Sequence, residues 1–483
     1  MKYILDHKGK PFNRFFEEIS AIPRNSFKEK GISDYLVKFA ENRGLWWYRD
    51  EIWNVIIKKP ASEGYETHPP VMIQGHTDMV CEKNSGSSHN FDTDPLNLYV
   101  ENGWLRAKDT TLGADCGDGI AYMLAILDDT ALKHPPIEAF FSVQEESGIG
   151  GPRLVDYTQF TSKRIIATDI IWEGNTYESV SGAIGGDFIK KVTTKEISNP
   201  TFKLMVSNCT GGHSALNIGK CPANAIKVSA RILYRINKIG KINLLSIEGG
   251  SIRNNIAMEC NSVFAYDENN IDIIKNIASE VIREIKQEYL YSDPEMIITL
   301  IPGENALEAL DENSSNSVIN LLHVLPSGAY IRNHEYGDAV FASRNMGNII
   351  LTNEMLTIGY MFRGTIKSQT NDMMEQTLCL AERFDSVYEE EYRYSGYIAG
   401  KDTPLVNIWK EVYKEATGED LYFLTMHGGT DVGTIIDHLG GSEKIDVIAI
   451  GPNAKSVHTT NEALELASFE RTYKYLTTIL SRL

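Results

Sequence analysis

Val71–Asp78 reads VMIQGHTD: an apolar run over Val71–Gln74, then the polar tail Gly75-His76-Thr77-Asp78. A short run of this kind suits a strand buried on both faces, and the tail places reactive groups at that strand's carboxyl end. The pattern recurs nearby. Ile137–Val143 runs into Gln144-Glu145-Glu146-Ser147-Gly148, and Lys163–Ala167 runs into Thr168-Asp169. Between them, Thr110–Gly117 (TTLGADCG) leads into Asp118–Asp129 (DGIAYMLAILDD), whose length and apolar content predict a buried helix. Asn13–Ala21 and Lys28–Arg43 carry helical apolar spacing. Strands alternating with helices predict a largely parallel sheet covered on both faces, with ligands bound at the strands' carboxyl ends.

Beyond about Gly186 the order changes. Thr201–Asn208 reads as strand, Ala223–Ile236 as helix, Lys241–Ile247 and Asn255–Tyr266 as strands, Ile271–Glu288 as helix and Glu295–Ile301 as strand. This is a βαββαβ order, the ferredoxin-like arrangement. A second, less regular round follows: helix Asn313–Leu325, a strand pair Ala342–Leu351 and Met355–Arg363, and helix Ser368–Asp385. From about Tyr394 the first pattern resumes, with helix Pro404–Thr417, strand Lys444–Ile450 and a closing helix Leu464–Leu483. At about 100–200 residues per domain, 483 residues fit an α/β domain over 1–186 and 395–483 interrupted by an α+β domain over 187–394.

Asp and Glu outnumber Lys and Arg by 65 to 47, a formal charge of −18 that disfavours nucleic-acid and anionic-membrane partners. Met1–Lys10 has no apolar leader core, and no uninterrupted apolar stretch reaches the roughly 18 residues of a membrane span. The six cysteines are scattered without a C-x-x-C pair, as expected of reduced thiols in the cytoplasm.

The residue types at the strand ends are those of a metal site. His76, Asp115, Glu146 and Asp169 offer imidazole and carboxylate donors suited to zinc or a similar divalent ion. Two cations ~3.5–4 Å apart need a shared carboxylate, and Asp115, in a Gly-flanked turn, is the candidate. His458, after the strand ending at Ile450, supplies a second imidazole. Asp78 is placed to accept from the other ring nitrogen of His76. Glu145, surplus to coordination, is placed to move a proton between water and a leaving amine.

The spelling of these motifs resembles the M20 family of metallopeptidases and, within it, the aminoacyl-histidine dipeptidases (the PepD-like, cytosol non-specific dipeptidase group). Phe15–Arg24 (FFEEISAIPR), Gln74–Asn84 (QGHTDMVCEKN), Phe91–Pro95 (FDTDP), Trp104–Gly117 (WLRAKDTTLGADCG), Gly211–Ser214 (GGHS), Gly249-Gly250 with Arg253-Asn254, and Leu325–Gly328 (LPSG) carry it. The resemblance implies a zinc-peptidase-like catalytic domain with an inserted lid of doubled ferredoxin-like type, and a homodimer formed through the lid. It implies two divalent ions, Zn with Mn or Co as substitutes. His76 and Asp169 would bind one, Glu146 and His458 the other, and Asp115 would bridge them. It further implies a metal-bridging hydroxide with Glu145 as general base, Asp78 supporting it, His213 stabilising the oxyanion, and Arg363 with Asn254 on the substrate's carboxylate. Several segments depart from the group: HGGTDVG at His427–Gly433, with Asp431 where glutamate is usual, Cys116 for asparagine, Ile170-Ile171-Trp172 for an acidic stretch, SGAIGG at Ser181–Gly186 for a CAGG element, GGHSA for GGHSG, and HTTNE at His458–Glu462 for a His-Ser-Pro form. The expected activity is hydrolysis of Xaa-His or broader dipeptides. An N-acyl amino acid hydrolase of the same fold and a silent metal-binding homologue remain alternatives.

Overall fold

The computed structural model describes residues 3–483; residues 1 and 2, which open the Met1–Lys10 stretch, lie outside it. The chain forms two compact units, one made of the segment through Val180 with Tyr397–Thr425 and Thr430–Leu483, the other of Ser181–Gly396 with Met426–Gly429. The first join falls at Val180 and not at residue 186, because Gly182–Lys191 is one uninterrupted strand of the second unit's sheet. Met426–Gly429 belongs to the second unit because His427 is held there, Nδ1 at 3.0 Å from Ser181 Oγ and Nε2 at 2.7 Å from Ser343 Oγ.

The first unit is built on a six-stranded sheet in the order Trp46–Arg49, Val55–Lys59, Ile137–Ser142, Val71–His76, Arg164–Ala167, Asp446–Ala449. The last four strands are mutually parallel. Every residue of Val71–His76 and Ile137–Ser142 is buried, as strands covered on both faces must be. Helix Ala114–Asp128 is buried almost throughout, and the ring of its Tyr122 lies 4.9 Å from that of Phe469 on helix Leu466–Arg482. Phe12, on helix Pro11–Ser20, meets the same Phe469 edge-on at 4.9 Å. Pro404–Thr417 keeps its sequence-predicted bounds because its punctuation is local. Thr403 caps the Val406 amide, Pro404 occupies the first turn, and Gly418 ends the helix in the left-handed region at φ 79°.

The second unit carries a nine-stranded antiparallel sheet. Thr201–Ser207, helix Ala225–Gly240, Asn243–Gly250, Cys260–Ala265, helix Ile271–Glu288 and Ile297–Pro302 form one βαββαβ round, with its strands in the spatial order fourth, first, third, second. The remainder is a second round of the same spatial order. Its first strand is Gly182–Lys191, followed after the whole of the first round by helix Glu312–Val324, strands Ala339–Leu351 and Met355–Gly364, helix Lys367–Glu382 and strand Val387–Tyr394. Gly328–Asn333 pairs on Ala339–Leu351 as the ninth strand. One round is nested inside the other, so the second reads as irregular along the chain: its opening strand precedes the first by sequence. That strand begins GAIGG, where three glycines leave Ile184 as the single β-branched residue and no alternating signal in the first half. The predicted strand Asn255–Tyr266 is two: Asn255–Ile256 leaves the main sheet to pair with Gly212–His213, and Cys260–Ala265 stays.

The two rounds join where Glu248–Gly250 lies opposite Asn348–Ile350. Gly250 has φ 65°, and a Cβ there would lie 1.9 Å from the Gly347 carbonyl oxygen. Gly250→Ala is therefore expected to destabilise the protein by about 1–3 kcal/mol, through strained backbone and a forced shift of Gly347. A thermal melt lower than wild type checks this; an unchanged melting temperature refutes the seam as a tight constraint.

Candidate metal centre

Four parallel strands side by side bring their carboxyl ends to one edge, and three of those ends deliver parts of a cluster directly. His76 is the last residue of its strand, Glu145 and Glu146 follow Ser142, and Asp169 follows Ala167. His458 comes from the loop of a hairpin in which Ala454–Lys455 pairs with Ala463–Leu464. Asp115 stands just before the regular turns of its helix. Its φ −79° and ψ 109° are extended, and helical torsions begin after Cys116.

Asp115 lies between the two histidines. Its Oδ1 is 3.0 Å from His76 Nε2, and its Oδ2 is 3.4 Å from His458 Nε2. His458 Nε2 is also 3.0 Å from Glu146 Oε1. Three sets of donor atoms lie within 4.8 Å of one another: His76 with Cys116 and Asp169, His76 with Glu145 and Glu146, and Asp115 with Glu146 and His458. Imidazoles and carboxylates converging from five segments suit borderline divalent cations, and a carboxylate with one oxygen toward each histidine suits a bridge.

The local electrostatics show how much negative charge is gathered here. Burial pushes Glu145 well above the ordinary carboxylate range; His76 opposes this, and the charges of Glu146 and Asp169 reinforce it. Burial, with Asp115 nearby, pushes Asp169 up to about 8. Burial would raise Asp115 too, but hydrogen bonds from His458 and His76 hold it below the ordinary range. Hydrogen bonds to Asp115 and Glu146 push His458 up to about 10. Burial alone would lower His76, yet its bonds to Asp115 and Asp78 raise it well above the usual imidazole value. Buried carboxyl groups kept protonated by burial and mutual repulsion are a receptacle for positive charge.

Asp78 faces His76 with both its main chain and its carboxylate. His76 Nδ1 lies 3.1 Å from the Asp78 main-chain oxygen and 3.5 Å from Oδ1. The carboxylate also accepts the Glu145 amide at 3.0 Å, the Glu146 amide at 3.2 Å and Ser26 Oγ at 2.7 Å. Asp78 thus fixes the Glu145-Glu146 peptide to the His76 loop.

His213, Asn254 and Arg363 lie together in the second unit, around Ser214. The Ser214 amide donates to the Asn254 carbonyl at 2.7 Å, and Arg363 Nε donates to Ser214 Oγ at 3.2 Å. Arg363, buried on strand Met355–Gly364, also donates from Nη1 to Tyr394 OH at 3.1 Å. His213 accepts the Ala215 amide at Nδ1, and Asn254 Oδ1 is buried without a partner.

Three residues beside the metal-type cluster carry functions the sequence reading did not attach. Asp431, noted there only as a departure, is buried; its Oδ2 accepts from Gln74 Nε2 at 2.9 Å and from Ser142 Oγ, and burial pushes it up to about 7. Arg24 and Glu462 hold the loops that carry His76, Asp115 and His458. Both sit inside quoted motifs, FFEEISAIPR and HTTNE, but neither is spaced as a ligand. Trp172, another departure, is half exposed, and Cys116 is buried with its Sγ 3.6 Å from Thr168 O.

A family model described as peptidase family M20/M25/M40 matches residues 72–482. The chain is 28% identical to the cytosol non-specific dipeptidase of Escherichia coli K12 over 478 residues, 98% of this chain and 97% of that one. The crystal structure of aminoacylhistidine dipeptidase from Vibrio alginolyticus superposes with a TM-score of 0.87 at 27% identity, covering 98% of this chain and 96% of that one. Aminopeptidase PepT from Bacillus cereus shares the fold alone, with a TM-score of 0.54 at 16% identity and 98% of both chains covered.

The charge balance predicts a pH dependence for metal-free protein. Asp169 and Asp431 hold protons in the folded state up to about 8 and 7, whereas their unfolded forms release them near 4. The folded state binds more protons across that interval, so stability falls as pH rises through it; raised His458 acts in the same direction up to about 10. The melting temperature of chelator-treated protein should therefore drop from pH 6 to pH 9. A divalent cation at 100 times its Kd should restore about 2.7 kcal/mol. A melting temperature that rises over this range, or ignores added cation, contradicts this.

Proposed function

The chain belongs to peptidase family M20/M25/M40, and from that premise we propose that it is a cytoplasmic dipeptidase working with two divalent cations. The observation that carries this reading is Asp115 with one oxygen toward each of two histidines, with Glu145 close by among the donors around His76. His76 and Asp169 would hold one cation, Glu146 and His458 the other, and Asp115 both. When bound, the pair supplies Lewis acidity toward the scissile carbonyl and lowers the pKa of attacking water, zinc being favoured by the donor set.

The chain's own groups do the rest. Glu145, held by the amide contact of its own backbone to Asp78, takes a proton from the attacking water and delivers it to the departing amine. Its burial beside Glu146 favours uptake of that proton. His213 donates to the oxygen on which negative charge develops. Arg363, a fixed fork of donors already oriented by Ser214 and Tyr394, binds the substrate's terminal carboxylate with Asn254 beside it, which limits substrates to short peptides. Assembly as a homodimer through the second unit belongs to the same proposal.

Glu145→Gln should leave metal content intact and lower kcat by about 10²–10⁴-fold; near-normal turnover would remove Glu145 from this role. Arg363→Ala should raise KM for free dipeptides while leaving C-terminally amidated ones unaffected. A panel of Xaa-His dipeptides, other dipeptides and N-acyl amino acids then fixes the class. Preference for the acylated compounds overturns the dipeptidase reading, and hydrolysis of none of them, with zinc, manganese or cobalt added, overturns catalysis.

A further inference from the structure

Glu462 lies at the foot of the hairpin loop that carries His458, four residues further along. It is 3% exposed where His458 is 47% exposed. Its carboxylate grips the backbone just before Asp115: Oε2 accepts the Leu112 amide at 2.7 Å and the Gly113 amide at 3.0 Å, and Oε1 accepts the Ala114 amide at 2.9 Å. The loop between is compact, since the Glu462 amide bonds Thr459 O and the Thr459 amide bonds Ser456 O. One buried side chain thus connects the exposed histidine to the carboxylate between the two histidines.

Arg24 holds the same turn from its other side. Its Nη2 donates to Gly113 O at 2.5 Å, and its Nη1 donates at 3.1 Å to both Thr77 O and Asp78 O. The Asp78 carbonyl is also the group that meets His76 Nδ1. Gly113 admits this packing: its φ is 65°, and a Cβ would lie 2.4 Å from Arg24 Nη2 and 2.7 Å from Met79 Sδ. The guanidinium and the carboxylate, both buried and mutually attracted, grip the carbonyl and amide sides of one turn.

We infer that Glu462 and Arg24 are positioning residues that set the spacing of His76, Asp115 and His458 before any cation binds. This rests on the two-cation reading above and deepens it. Neither side chain is among the grouped donors; both bond main-chain atoms and act through Gly113, Asp78 and the His458 loop. A cation entering such a frame meets donors already in place, whereas a loosened frame must be ordered at the cost of affinity.

The test is cation affinity of the chelator-treated full chain, titrated with Zn²⁺ against a competing chelator and read beside the melting temperature. Glu462→Gln keeps the shape, but its amide nitrogen faces backbone donors. It should weaken binding by about 10–100-fold. Glu138→Gln is the control. Glu138 is equally buried and likewise holds the Thr161 and Ser162 amides, but at the amino end of the strand whose far end leads to Glu145. It should lose stability while keeping wild-type affinity. Should Glu462→Gln fail to fold, Arg24→Lys, which keeps the charge and loses the fork, should show the same loss of affinity. Wild-type affinity in both site variants, or an equal loss in Glu138→Gln, overturns the inference. Wild-type protein that binds no Zn²⁺ overturns the metal reading beneath it.

Discussion

Repulsion among buried carboxylates is the constraint around which the first unit is organised. Asp78, Asp115, Glu145, Glu146, Asp169 and Asp431 all lie at one edge of the sheet, with two imidazoles among them. Left to itself, such a cluster would cost the fold more than it returns, because each ionised group is removed from water beside others of its own sign. Its tolerable forms are protonation, pairing with a histidine, several hydrogen bonds from backbone amides, or a bound cation. The structure uses the first three. Burial pushes the carboxyls of Asp169 and Glu145 above the ordinary range, Asp115 pairs with both histidines, and the Asp78 carboxylate is stabilised as an anion by His76, the two glutamate amides and Ser26.

The parallel sheet makes the cluster possible. Four adjacent strands ending in register place four loops within side-chain reach without any loop being long. Loops are the least constrained parts of a fold, so each needs an anchor. Asp78 anchors the Glu145-Glu146 loop to the His76 loop, Arg24 anchors the His76 loop to the Gly113 turn, and Glu462 anchors that turn to the His458 loop. The second unit applies the same economy differently. Its two nested rounds share one continuous sheet, and Arg363 emerges from a central strand of it, fully buried and already bonded to Ser214 and Tyr394.

Much of the architecture was legible along the chain wherever a signal is local. Pro404–Thr417 and Ile271–Glu288 were read to the residue, because capping residues and apolar period operate within a few positions. Gly182–Lys191 was not, although it is the pivot of the second round. Its glycines have no side-chain preference to declare, and its partners Met355–Gly364 and Val387–Tyr394 lie far along the chain. Arg24 and Glu462 escaped for a related reason. A side chain that serves by gripping main-chain atoms leaves no pattern of residue types, since any sequence offers amides and carbonyls.

By itself the sequence determined the class of fold, the order of its elements and the inventory of donors: His76, Glu145, Glu146 and Asp169 at or just past the ends of apolar runs, with Asp115 before a buried helix and His458 beyond a strand. These follow from periodicity and from chemistry intrinsic to a residue type. Only the tertiary structure decided how the donors are shared. It gave Asp115 one oxygen for each histidine, shared the Asp78 carboxylate between two amides and the His76 ring, and assigned two buried charges to hold a single turn. Those assignments depend on distances between segments up to several hundred residues apart, set by strand order and by which buried group reaches a partner first. No local preference encodes such a distance.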